Sequence, residues 1–123
     1  MSLLKSVQPE LAVGGMKRIH DSFLDAVGMV PPPLVVSSAS PALQALLTTL
    51  MVYYREHPTP SQKLIALIRY VTSVIFEMTP CVRFNENALR IHGMTDNQIR
   101  EAGLKPGAVP LKAAEKELFD FVI

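Results

Sequence analysis

Three times in this chain a hydroxyl residue stands directly before a proline at the head of an apolar, helically spaced segment: Ser40-Pro41, Thr59-Pro60 and Thr79-Pro80. A Ser or Thr oxygen can accept from the unpaired amides of a first turn, and proline at the first helical position gives up no hydrogen bond. The pattern marks three helix starts independently of hydrophobicity and restricts the chain to folds built of helices.

Spacing between these marks completes the expectation. A first helix is predicted over 16–27, between Gly15 and Gly28, with Ile19, Phe23 and Ala26 or Val27 on one face, and a loop through Pro31–Pro33 follows. A second runs over 41–56, carrying Leu43, Leu46, Leu47, Leu50, Met51 and Tyr54. A third starts at Pro60 and aligns Leu64, Leu67, Ile68, Val71, Val74, Ile75 and Met78; Ile65, Ala66 and Tyr70 make its other side apolar too, so it is expected at the centre. The β-branched run 71–75 is compatible with a strand, but the length of the segment favours helix. A fourth helix is expected over 80–92 with Gly93 as a left-handed cap. A fifth starts from the capping-box spacing Thr95-Asp96-Asn97-Gln98 and ends at Gly103. A last helix opens at Pro110 through Leu111, Ala114, Leu118 and Phe121. The fold class is all-α, about six helices in one domain over 1–123, with 1–14 as an extended or loosely ordered arm.

Composition narrows the function classes. Apolar residues make up 49% of the chain against 19% charged, more than a 123-residue monomer readily buries, so a homo-oligomer is expected. Net charge is +1 with the cations dispersed, which gives no footprint for nucleic acid. One cysteine permits no intrachain disulfide, and the first residues show no basic segment followed by an apolar run; both suit a cytoplasmic protein. Residues 26–54 carry no charge, but Pro31, Pro32, Pro33 and Pro41 interrupt the run, so no membrane span is expected. His20, His57 and His92 have no ligand-like spacing, and neither a metal nor a cofactor is expected.

The chemically distinctive position is Cys81, in Met78-Thr79-Pro80-Cys81-Val82-Arg83-Phe84-Asn85. As the second residue of a helix opened by Pro80, its thiolate would face unpaired amides and the positive end of the macrodipole. Cys81, Phe84, Asn85, Ala88 and His92 fall on one stripe, so Asn85 could hydrogen-bond the sulfur from one turn away. The bland alternative is a small buried hydrophobe. Arg69, within the most apolar segment, is expected to need a partner, an ion pair ahead of an anionic ligand. Glu77 is a candidate substitute base against the reading of a solvated helix end.

With Gly93 and Thr95 following, this stretch resembles the C-x-x-C-x-x-x-H segment of the alkylhydroperoxidase D-like family, which includes the carboxymuconolactone decarboxylases. Met78 then stands at the first cysteine, Cys81 at the second and Asn85 at the histidine. Lys63-Leu64-Ile65-Ala66-Leu67 is similar to the family's E-L-I-A-L, with Lys63 in place of the glutamate. Residues 23–31 and Ser40-Pro41-Ala42-Leu43 resemble the family's entry segments. The resemblance implies an all-helical oligomer and a thiol-dependent peroxidase chemistry, with Cys81 as nucleophile, Asn85 as its hydrogen-bond partner and an external thiol as reductant. Met78 cannot form a disulfide and Asn85 cannot accept a proton at neutral pH. The alternative is therefore a member that has lost catalysis and binds a small molecule or serves as a structural helical oligomer. A decarboxylase reading would use Arg69 and Arg83 for an anion.

Overall fold

The computed structural model describes residues 4–57 and 59–123. Among them are seven α-helices, two single-turn 3-10 segments and no strand, so the all-α expectation holds, including through 71–75. The chain divides into two compact units, Met1–His57 and Pro58–Ile123.

In the first unit α1 is Gly14–Val27, α2 Pro32–Ser37 and α3 Pro41–Glu56, and α3 packs against both of the others. Gly28 ends α1 at φ 75°, the left-handed conformation in which glycine carries no penalty. The expected loop at 31–33 is instead the start of α2. Pro32 and Pro33 fall in its first turn, where a fixed φ suits the helix and a missing amide hydrogen costs nothing. Ser40 caps α3 as expected, its Oγ accepting from Leu43 N at 3.4 Å. Part of the anticipated N-terminal arm is anchored: Val7 N donates to Ser38 Oγ at 2.6 Å, and Ala12 is buried. Residues 1–3 of that arm lie outside the described residues.

The second unit contains α4 (Gln62–Ile75), α5 (Thr79–Ile91), α6 (Asp96–Leu104) and α7 (Ala113–Val122), and α4 packs against each of the other three. The core joins Leu64, Leu67 and Val71 of α4 to Leu89 of α5, Ile99 of α6 and Phe119 of α7. Ser61, not Thr59, caps α4, with Oγ accepting from Leu64 N at 3.3 Å. The predicted stripe holds from Leu64 to Val74 but stops there, since Ile75 and Met78 are exposed. Arg69 is exposed as well, so it needs no buried partner; its carbonyl accepts from Ser73 Oγ at 2.6 Å.

Both ends of α5 have readable causes. Thr79 is its first helical residue rather than its cap, and Met78 holds the cap position without a side-chain bond. At the other end Met94 N reaches Leu89 O at 3.0 Å and Gly93 N reaches Arg90 O at 2.9 Å, the Schellman pairing, with Gly93 at φ 82°. The capping box on α6 forms in full, with Thr95 N donating to Gln98 Oε1 at 2.9 Å and Gln98 N to Thr95 Oγ1 at 3.3 Å. Gly103 is inside α6, not past its end. A Cβ there would come within 2.9 Å of the Tyr70 hydroxyl, so glycine admits the approach of α6 to α4. α7 starts at Ala113 because Lys112 is extended, which takes Leu111 out of the helical register. Phe119 therefore fills the core and Phe121 is 89% exposed, the reverse of the expected stripe.

Candidate functional site

Cys81 is the third residue of α5 and half-buried. Pro80 has no amide hydrogen, Thr79 N donates to Glu77 O at 3.1 Å, and Val82 N donates to Met78 O at 2.9 Å. The amide of Cys81 itself is thus the remaining unpaired donor of that first turn. Its thiol stands beside one such donor, where the sequence led us to expect several.

Asn85 is 4% exposed and faces inward beside Leu89. Its Nδ2 donates to the carbonyl of Cys81 at 2.9 Å and, at the 3.5 Å limit of a hydrogen bond, to Ser73 Oγ on α4. The Ser73 hydroxyl in turn donates to Arg69 O, so a short chain of hydrogen bonds joins α5 to α4. An amide nitrogen has two hydrogens, and these two contacts use both. Asn85 therefore reaches the main chain of Cys81 and has no N–H left for the sulfur. Its Oδ1 is buried without a partner among the described residues. Glu77 and Arg83 are exposed, and His92 lies outside the buried stripe, which is formed by Asn85 and Leu89 with Val82 and Ala88 against the core.

A second polar cluster, unread in the sequence, lies in the first unit. His20 on α1 and Gln44 on α3 are both fully enclosed. Gln44 Nε2 is 2.9 Å from His20 Nε2 and 3.0 Å from Leu34 O. A carbonyl can only accept, so the amide group facing it must be the nitrogen; His20 Nε2 must then accept, and the imidazole proton belongs on Nδ1. That Nδ1 has no partner among the described residues. The available signal was a lone glutamine within a leucine-rich, uncharged helix.

A concavity lies elsewhere in the second unit. A cavity of about 980 Å³ lies between the N-terminal half of α4, the outer side of α6 and the segment 104–112 leading into α7. Val109 and Leu111, half-buried against the core, form its accessible apolar floor, backed by the buried Leu64, Leu67, Met94 and Ala102. Exposed Lys63, Arg100, Lys105 and Lys112 line it with Glu101 and Glu115. Ser61 Oγ donates to Glu115 Oε1 at 2.8 Å, fastening the start of α4 to α7 across 54 residues of sequence. Neither Cys81 nor Asn85 lines this cavity, whereas Lys63 does. Among the described residues no three His, Cys, Asp or Glu side chains converge to hold a metal ion, and no helix is long and apolar enough to cross a membrane. No family model matches the chain, and neither the curated proteins nor the solved structures contain a match to it.

Proposed function

We propose that this chain is a self-associating helical protein that binds a small molecule, a divergent alkylhydroperoxidase D-like member in which binding has outlived the thiol redox cycle. The observation that carries this reading is the 980 Å³ cavity with its accessible aliphatic floor and polar margin, at the upper end of the size in which ligand sites fall. The chain contains no tryptophan, so Leu104→Trp, at an exposed position on the cavity lining, supplies a single reporter. Titration with 1-decanol is expected to shift its emission saturably to the blue. A linear, unsaturable response would reject binding at this site.

A second reading is favoured by the half-buried thiol beside the unpaired amide of Cys81: a one-cysteine peroxidase. The thiolate attacks the peroxide O–O bond, leaving a sulfenic acid on Cys81 and releasing alcohol or water. One external thiol then forms a mixed disulfide with loss of water, and a second releases Cys81 as the free thiol with an external disulfide. Peroxide consumption with dithiothreitol, lost in Cys81→Ser, would establish it; equal rates in the two proteins would eliminate it.

A further inference from the structure

Charge is distributed unevenly around the cavity. Four of the chain's twelve lysines and arginines line it, against two of its eleven acids. The two acids already have internal partners, Glu115 in the hydroxyl of Ser61 and Glu101 in the amide of Asn97 at 3.2 Å. Arg100 donates to Asn97 Oδ1 at 2.6 Å. The side chains of Lys63, Lys105 and Lys112 form no ion pair or hydrogen bond among the described residues. Lys63 at the start of α4 and Lys105 and Lys112 on the segment 104–112 line the same opening, while the accessible floor offers only aliphatic side chains.

Such a lining discriminates between ligands. An uncharged apolar molecule would satisfy the floor and leave the lysines unused. A small inorganic anion would meet the lysines and leave the floor hydrated. A cation would be repelled at the margin, where low-dielectric walls strengthen the field of the ammonium groups. We propose that the cavity takes a small molecule with an apolar body and one anionic end, the class of an aliphatic carboxylate, its chain on Leu104, Val109 and Leu111 and its charge toward Lys63, Lys105 and Lys112. This rests on the ligand-binding reading above and names its ligand class.

The test compares three probes of equal chain length, decanoate, 1-decanol and decylammonium, on the Leu104→Trp protein at pH 7.5 and low salt. Decanoate is expected to bind about ten-fold more tightly than decanol, the effect of one charge-assisted contact. That advantage should disappear in Lys63→Gln/Lys105→Gln/Lys112→Gln while decanol affinity stays the same, and should shrink in 0.5 M salt. These lysines are exposed, so the variant is expected to fold, and an unchanged circular dichroism melt verifies it. Equal affinity for decanoate and decanol would overturn the ligand class and leave the cavity reading intact. A preference for decylammonium, or a decanoate preference that survives the triple substitution, would overturn it as well. Saturable binding of none of the three would reject both readings together.

Discussion

Asn85 has a structural task that its position in the sequence suggested was chemical. Both of its amide hydrogens go to α4 and to the main chain of α5, and the side chain is buried. Asn85→Ala removes those bonds but also its unpaired Oδ1, so the loss should be moderate, about 1–2 kcal/mol by urea denaturation. Cys81→Ser, half-exposed and without side-chain bonds of that kind, should change stability far less. Tyr70 offers a pH-dependent test of the same core. Burial, and secondarily the negative charge of Glu86, push its phenol above the ordinary value of 10.0. A group whose folded pKa is raised contributes fully below its unfolded pKa and is lost as pH climbs through the folded one. Stability should therefore hold up to about pH 10 and fall beyond it. An ultraviolet titration of the phenols should show a late step that Tyr70→Phe removes.

At the scale of elements, the junction between α4 and α5 carries strain that can be relieved. Glu77 N bonds Val74 O at 3.1 Å and Met78 N bonds Ser73 O at 2.9 Å, a Schellman ending like that of α5. The residue in its left-handed position is Glu77, at φ 54°, where α5 uses Gly93. Glycine avoids the Cβ clash but adds freedom to the unfolded chain, so Glu77→Gly should stabilise by a net of about 0.5–1 kcal/mol, read from the urea midpoint. The two junctions also show what could be read from sequence. Ser40-Pro41, Thr95-Gln98 and Gly93 act locally, through atoms within a few residues, and each does what its spacing announced. Thr79-Pro80 carries the same local signal as Ser40-Pro41, yet the tight turn through Glu77 shifts the helix start by one residue, so Met78 becomes the cap. The exposed Phe121 and buried Phe119 depend on where Lys112 leaves the extended conformation, one residue of register that periodicity alone does not specify. The cavity was illegible for a stronger reason, because its walls come from segments as far apart as Lys63 and Lys112.

For the molecule as a whole, the conspicuous feature is an inverted helix. α3 buries Gln44 and exposes an apolar row: Leu43, Leu46, Leu50 and Tyr53 are each 48–69% exposed. Their spacing of three, four and three residues is that of a seam between two packed helices. No charged residue occurs from 26 to 54 to oppose a second copy lying against that seam. Sixteen residues make a helix only about 24 Å long, short of the roughly 800 Å² per partner of a standard interface. The exposed Leu24 and Val36 of the same unit supply further apolar surface. A two-fold pair is the simplest closed arrangement, since it buries the same patch on both copies. Light scattering coupled to size exclusion should therefore report a mass of at least twice 13.5 kDa. Leu46→Glu/Leu50→Glu places two carboxylates per copy in the seam, on side chains that a monomer already exposes. The variant should keep its helical content and elute near 13.5 kDa. A native chain that is monomeric at micromolar concentration would leave the leucines of α3 without this explanation. An oligomer indifferent to both glutamates would move the contact to another face.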